Sequence, residues 1–364
     1  MAYSYKTNYA PAICRQVRDL GADAEVVSEM EYEMALQVGH RGEEIIVNGP
    51  LHSRDFLERA LLAGSRVNLD SWYMLDHLDA ICHSHPQQQF SIGVRLNYDI
   101  VEGGASRFGF VVNDATMARL HDRLDRLPNV AVVGLHSHFS QSSRSAASFR
   151  SRVRGMLAAA RRYFSGTSLE YLNFGGGLPG KMPESLRRQH EDPVPTCAEI
   201  AEAVAGTLAE ALPAAPRPTL FLEPGTAVVC DAMEFVCRVH DVKHVGGRAL
   251  ALVDASNHNV NHKSSLALPI RVLRRSPDGE ASVAGCESFD VVSYTCIETD
   301  YLCRDVPGPI APGDHIVFEY VGGYSNVLKQ PFIRPCPPII ARRDGQYEIA
   351  KRQETVNDVL ATYV

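Results

Sequence analysis

Leu169-Glu170-Tyr171-Leu172-Asn173-Phe174-Gly175-Gly176-Gly177 is a short apolar run that stops on three consecutive glycines. Its length and apolar density are those of a strand buried on both faces of a parallel sheet. A helical pattern precedes it over Ala146–Tyr163, and another follows over Cys197–Leu212. Outward from this stretch the same alternation repeats. Candidate strands are Tyr3–Lys6, Ala24–Ser28, Glu44–Asn48, Arg66–Asp70, Ser91–Leu96, Ala131–His136, Leu169–Phe174 and Thr219–Glu223. Asp114–Leu127 carries Met117, Leu120, Leu124 and Leu127 at helical spacing. Eight strands alternating with helices over about 230 residues is the count of a TIM-type (β/α)8 barrel. An open, doubly wound α/β sheet is the alternative.

After Asp231 the rhythm changes. Ala249–Val253, Ile270–Leu273, Ala281–Ala284, Asp290–Tyr294, Asp314–Tyr320 and Pro338–Arg342 read as strands with no helices between them. Gly and Pro cluster in the gaps, as in Val306-Pro307-Gly308-Pro309. This predicts a C-terminal antiparallel β domain of sandwich or barrel topology, closed by a short helix over Val356–Thr362. The expected division is a barrel over 1–232 and a β domain over 233–364.

The 364 residues are 45% hydrophobic and 22% charged, a globular composition that excludes disordered, coiled-coil and collagen-like chains. The net charge is −7 and no long basic run occurs, so nucleic acid is not an expected partner. No apolar stretch approaches the roughly 18 residues of a membrane span. The start, Met1-Ala2-Tyr3-Ser4-Tyr5-Lys6, lacks the apolar core of a signal peptide. Nine cysteines at irregular spacing fit neither a disulfide framework nor paired metal knuckles. A reduced, cytoplasmic protein is expected.

In such a barrel the chemistry sits at the C-terminal strand ends. Those ends carry Lys6; Glu25 and Ser28, with Glu31 behind; Arg95; His136-Ser137-His138; the glycine run; and Glu223-Pro224-Gly225-Thr226. Three glycines let backbone N–H groups approach an anion, and the loops after strands 7 and 8 commonly hold phosphate. A turn without a ligand is the plainer reading. A lysine in an apolar strand is costly to bury charged, and its neutral amine is what Schiff-base chemistry needs. A lysine snorkelling at the barrel mouth is the plainer reading there. A phosphate loop and a Schiff-base lysine in one barrel together suggest pyridoxal 5'-phosphate, with Glu223 as the acidic partner of its ring nitrogen. His136 and His138, two apart on a strand, point the same way. They suit either a metal or stacking on a planar cofactor. No convincing further inward ligands accompany them, so no metal is assigned. His83, His85, His258 and His262 lie in polar segments.

With those residues in place, the chain resembles the fold-type III pyridoxal phosphate-dependent decarboxylases. This group includes ornithine, diaminopimelate and carboxynorspermidine decarboxylases, and the resemblance runs over nearly the whole sequence. The implied fold is the alanine racemase/ornithine decarboxylase-like barrel with its C-terminal β domain. Tyr5-Lys6-Thr7-Asn8 resembles the lysine strand, with Lys6 as the Schiff-base residue. Ala24-Glu25-Val26-Val27-Ser28 resembles the second strand, Glu25 standing where an Asp is more usual. Ser106-Arg107-Phe108-Gly109 resembles S-[KR]-F-G. His138 falls where the family stacks a His on the cofactor ring. Asn173-Phe174-Gly175-Gly176-Gly177 is similar to the phosphate-binding segment. Glu223-Pro224-Gly225 is similar to E-P-G-R.

Further on, Cys286-Glu287-Ser288-Phe289-Asp290 resembles C-[DE]-S-x-D. This implies Cys286 as the acid that protonates the decarboxylated carbon, with Glu287 and Asp290 toward the substrate. Glu287 is more similar to diaminopimelate than to ornithine decarboxylases. Gly322-Gly323-Tyr324-Ser325 resembles G-A-Y, whose Tyr reaches the phosphate, and Arg352-Gln353-Glu354-Thr355…Asp358 resembles the R-R-E-T…D ending. The resemblance also implies a homodimer with shared sites, in which Cys286 serves the partner's cofactor. Thr226 departs from the pattern, replacing the Arg of E-P-G-R and removing one phosphate cation. Cys286 follows Ala284-Gly285 instead of Gly-Pro-[TI]. The resemblance implies an N-terminal strand ahead of the lysine strand, and with Lys6 so near the start that strand is expected to be absent or to lie outside this sequence. Pro331-Phe332-Ile333-Arg334-Pro335 resembles members from siderophore and secondary-metabolite pathways.

The expected activity is decarboxylation of an amino acid, with a diamino acid favoured by Glu287. A racemase of the same architecture, a metal-dependent barrel hydrolase using His136 and His138, and a non-catalytic pyridoxal phosphate-binding regulator are the rivals.

Overall fold

The structure, a computed structural model, describes residues 1–101, 106–139, 145–190, 192–212, 217–260, 266–275 and 287–364. They form two compact units, one of Met1–Gly180 with His190–Val228, the other of Lys181–Gln189 with Val229–Val364.

The first unit is built on eight parallel strands: β1 (Ala2–Ser4), β2 (Asp23–Val26), β3 (Ile45–Val47), β4 (Arg66–Leu69), β5 (Phe90–Asn97), β6 (Val130–His136), β7 (Tyr171–Asn173) and β8 (Thr219–Phe221). Each pairs with the next in chain order. A further two-residue strand, Phe110–Val111, pairs with β5. The Ala2 N–H donates to the Leu222 carbonyl at 3.0 Å and Ser4 N–H to that of Pro224 at 3.1 Å, bringing the last strand back to the first. Sequential order with closing bonds makes a barrel. A doubly wound sheet would reverse its strand order midway. Six of the eight strands are shorter than the predicted runs, while β5 and β6 are two residues and one residue longer. Strand β1 ends at Ser4, and Lys6 lies in the 3-10 turn Tyr5–Thr7 at the barrel mouth.

The barrel interior is filled by a few large side chains that small residues admit. A Cβ on Gly93 of β5 or Gly134 of β6 would collide with the Tyr171 phenol. Tyr171 therefore enters the barrel and packs with Ala2, Ile46 and Phe221. Ser28, Ser53, Asn113 and Ser145 cap the helices after strands β2, β3, β5 and β6 by accepting an N–H three residues on. The helical pattern over Cys197–Leu212 forms as expected to Ala211, with a π turn at Glu202–Gly206.

In the second unit, six strands form one connected sheet: β9 (Phe235–Val245), β10 (Arg248–Val253), β11 (Ile270–Leu273), β12 (Ser288–Val292), β13 (Tyr301–Pro307) and β14 (His315–Phe318). Their order is β11-β14-β9-β10-β12-β13. The pairing is antiparallel as expected except between β10 and β12, which run parallel. Strand β9 bends at a bulge near Val239 and Asp241, so its first half pairs with β14 and its second half with β10. Val239, Ala251, Val291 and Ile316 are among the fully buried core. A separate hairpin joins β15 (Ile339–Arg343) to β16 (Gln346–Lys351), and a helix spans Val356–Leu360. Strands β9, β13 and β16 were not expected from the sequence. The expected strand Ala281–Ala284 lies outside the described residues. No helix among the described residues is long and apolar enough to cross a membrane.

Candidate active site

A cavity of about 510 Å³ at the C-terminal mouth of the barrel is lined by Lys6, Glu25, Asn48, Arg95, His136, His138 and Glu223, with Ser106-Arg107-Phe108 at its edge. Most of the residues singled out at the strand ends thus meet in one place.

Lys6 Nζ donates to Ser4 Oγ at 2.8 Å and to Glu25 Oε2 at 2.5 Å. The lysine side chain is one-third exposed, whereas Glu25 is buried. The Ser4 hydroxyl also donates to Glu25. The other Glu25 oxygen accepts from Asn48 Nδ2 at 3.0 Å, and that same amide donates to Glu223 Oε1 at 2.7 Å. One side chain therefore joins the two buried carboxylates. Asn48 is oriented from below, because its Oδ1 accepts from Asn68 Nδ2 at 2.8 Å and Asn68 Oδ1 accepts from Tyr171 OH at 2.8 Å. This polar chain climbs from the barrel floor to the cavity. Neither Asn48 nor Asn68 was singled out in the sequence. Their signal was present as amides within the apolar runs that make β3 and β4.

Glu223 Oε1 accepts a second amide, Asn173 Nδ2, at 2.7 Å, and Oε2 faces His136 Nε2 at 3.5 Å. Burial alone would raise this carboxyl, but His136, the Lys6 ammonium and His138 outweigh it and hold it well below the ordinary range. Glu223 is thus ionised at neutral pH. Burial pushes His138 down from 6.5 to about 3. Its Nδ1 accepts the Gly176 N–H at 2.9 Å, which leaves the proton of the neutral ring on Nε2. Arg95 is buried against Asp70, with Nη1 to Oδ2 at 2.8 Å, and its guanidinium lies 4.5 Å from the Phe108 ring centre.

The glycine run is conformationally required. Gly175 has φ +65°, and a Cβ there would lie 2.6 Å from His138 Nδ1 and 2.8 Å from the Ser137 carbonyl. At Gly176 a Cβ would meet the Glu223 carbonyl at 2.5 Å. Two of the three loop N–H groups are engaged inside the protein, Gly175 by Asn173 Oδ1 at 2.9 Å and Gly176 by His138. The sequence suggested three donors for an anion, so the cradle is narrower than expected. Gly225 packs against Thr7 with no space for a Cβ, and Thr226 opens the short helix Thr226–Val229.

The remaining predicted residues lie in the second unit or outside the described residues. Cys286 lies outside them. Glu287 is exposed, its carbonyl accepting the Gly308 N–H at 2.9 Å. Asp290 is 1% exposed and held by two bonds from Arg248, at 2.7 and 3.0 Å, and by the Asp305 N–H. Tyr324 is half-buried with φ +66°.

An amine held between an acid and a hydroxyl, an ionised carboxylate at depth and a glycine loop beside a neutral imidazole fit pyridoxal phosphate. Lys6 suits its aldehyde, Glu223 its ring nitrogen and the loop its phosphate. Comparison with known proteins agrees. The family model "Pyridoxal-dependent decarboxylase, pyridoxal binding domain" matches residues 1–230. A diaminopimelate decarboxylase of Methanothermobacter thermautotrophicus is 28% identical, aligned over 98% of this chain and 83% of its own length. One from Actinosynnema pretiosum is 29% identical over 96% and 79%. The crystal structure of diaminopimelate decarboxylase from Helicobacter pylori complexed with L-lysine superposes with a TM-score of 0.82 at 21% identity, covering 99% of this chain and 89% of that one.

Proposed function

The chain belongs to the pyridoxal-dependent decarboxylases, and from that premise we propose that its substrate is a diamino acid of the diaminopimelate type. It is a pyridoxal phosphate-dependent amino-acid decarboxylase. The observation that carries the reading is the single cavity in which Lys6, Glu25, Asn48, His138 and Glu223 converge. The substrate class is supported by relatedness to diaminopimelate decarboxylases over nearly all of this chain, across both units.

When bound, pyridoxal phosphate supplies an electrophilic carbon for amines and a protonated ring that accepts the electron pair left by the carboxylate. The protein's part follows from its hydrogen bonds. Glu25 and Ser4 hold Lys6 Nζ and are within reach to take the proton it must lose to act as a nucleophile. Glu223, ionised and fixed by two amides, keeps a proton on a ring nitrogen set against it. His138, neutral and anchored on Gly176, offers a flat uncharged face.

Three further parts belong to the proposal. Cys286 is the proton donor to the decarboxylated carbon, on the strength of the C-E-S-x-D resemblance. The enzyme is a cytoplasmic homodimer with shared sites, Glu287, Asp290 and Tyr324 serving substrate and phosphate. Its pathway is one of secondary-metabolite or siderophore assembly, a reading supported by Pro331–Pro335. The test is a panel of diaminopimelate, lysine, ornithine, arginine and the monoamino acids leucine and glutamate given to the cofactor-loaded enzyme, scored for carbon dioxide, amine and racemised amino acid. Diaminopimelate should lead in kcat/KM. Racemisation without carbon dioxide, or a monoamino acid as best substrate, overturns the proposal.

A further inference from the structure

The helix Ala146–Tyr163 turns one face to the barrel through Phe149, Val153, Met156 and Leu157, all buried. Arg152 lies on that same apolar stripe and is 1% exposed. An arginine at a core position is rare, because taking a guanidinium out of water costs several kcal/mol unless polar or charged groups surround it. Its surroundings show what it serves. Nη1 donates to the Gly176 carbonyl at 3.2 Å. At Gly177, the third glycine, a Cβ would lie 3.5 Å from Nη1 and 3.9 Å from Nη2 of the same guanidinium. The group is steadied by the Phe149 ring, 4.5 Å from its carbon. The arginine's own carbonyl accepts the Tyr98 hydroxyl at 2.7 Å, pinning the helix turn that carries it.

The loop it touches needs a cation. Two of its three N–H groups are already used within the protein. The residue after Gly225 is Thr226, which carries no charge. Of the cationic side chains that line the cavity, Lys6 is committed to Glu25 and Arg95 to Asp70, and Arg107 lies over the Phe108 ring at 4.1 Å.

We propose that Arg152 is the cation of the phosphate subsite, a positioning residue that acts through the glycine loop. It fixes the Gly176 peptide and sets a buried positive charge behind the loop, which favours a dianionic phosphate monoester. The inference rests on the cofactor reading above. Pyridoxal, which lacks the phosphate, separates the failure of one from the failure of the other.

The experiment titrates the cofactor-free protein with pyridoxal phosphate and, separately, with pyridoxal, following fluorescence, with inorganic phosphate as competitor. Arg152→Gln keeps an N–H donor for Gly176 and removes the charge. It should weaken pyridoxal phosphate about 10- to 100-fold, the range of one charge-assisted interaction. Pyridoxal affinity should stay within about threefold, since the loss is confined to the charged group. Arg152→Lys should restore most of the preference, and Thr226→Arg in the Arg152→Gln background should restore part of it. Inorganic phosphate should compete in the wild type and lose that ability in Arg152→Gln. Equal weakening of both ligands would make Arg152 a packing residue and overturn the inference, as would no weakening of either. If Arg152→Gln does not fold, Arg152→Lys decides. A preference for pyridoxal phosphate kept with the charge supports the inference, and one lost despite the charge refutes it. A wild type that binds neither ligand refutes the cofactor reading, and this inference with it.

Discussion

Replacing His138 should change how the cofactor-free barrel responds to acid. In the folded protein burial pushes this imidazole down from 6.5 to about 3, against the attraction of Glu223 and with Lys6, His136 and Arg95 adding to the depression. An unfolded chain returns it to the ordinary value. Between those two pH values the unfolded state binds a proton that the folded state does not, so stability falls as pH drops. The term is nearly absent at pH 7.5. At pH 5 the proton favours the unfolded state by a factor of about 30, or about 2 kcal/mol. A urea slope of about 1–3 kcal/mol per molar makes that roughly a 1 M shift in midpoint. His138→Gln keeps an acceptor for the Gly176 N–H and removes the titration. Trp72, the only tryptophan, lies in the first unit, so its fluorescence follows the barrel. Urea midpoints of the two proteins should diverge with acid, the wild type losing about 2 kcal/mol more between pH 7.5 and 5. Parallel profiles would mean that His138 is protonated in the fold, and the neutral Nε2–H tautomer assigned here would be wrong.

Asn48→Leu removes the donor shared by Glu25 and Glu223 and the acceptor of Asn68. A loss of about 2–4 kcal/mol is expected from the uncompensated buried groups, read from denaturant unfolding. Wild-type stability would show that the amide bridge is not structural. Glu223→Gln should bind cofactor with its visible absorbance intact while kcat falls about 10²–10⁴-fold, because an amide cannot hold a ring nitrogen protonated. An unchanged kcat would reduce Glu223 to an acceptor for Asn48 and Asn173. Lys6→Ala and Cys286→Ala should each be nearly inactive alone and recover about a quarter of wild-type activity when mixed under subunit exchange, the statistical limit for shared sites in a two-fold dimer. No recovery with exchange verified would remove Cys286 from the partner's site.

The barrel was legible because its signal is local and repeated. Fully buried parallel strands such as Ile45–Val47 are apolar on both faces, and helices with polar outer faces separate them. The second unit was less legible. Strand β9 carries Arg238, His240, Asp241, Lys243 and His244 on a half-exposed ribbon, so it lacks an apolar run. Its turn nevertheless left a mark, for Gly246 and Gly247 both take positive φ in a two-residue hairpin, as do Asp344 and Gly345 between β15 and β16. At the site, residues that bear reactive groups at strand ends were visible: Lys6, Glu25, His138, Gly175 and Glu223. Residues that orient them were not. Asn48, Asn68 and Asp70 act through partners 20 to 175 positions away in the chain, and no spacing rule reports such pairs. Arg152 was not singled out either, although it is a charge on an apolar helical stripe, a mismatch between pattern and residue that marks function more often than error.

The most direct test of the whole account is the position of the covalent link to the cofactor. The wild-type protein, loaded with pyridoxal phosphate, is reduced with borohydride, digested and mapped by mass spectrometry. The chain has six lysines: Lys6, Lys181, Lys243, Lys263, Lys329 and Lys351. The pyridoxyl phosphate mass should fall on the peptide containing Lys6, at one per chain, with the visible absorbance of the loaded enzyme lost on reduction. A label on any of the other five, or none on a protein that decarboxylates, would contradict the assignment of the barrel mouth as the active site.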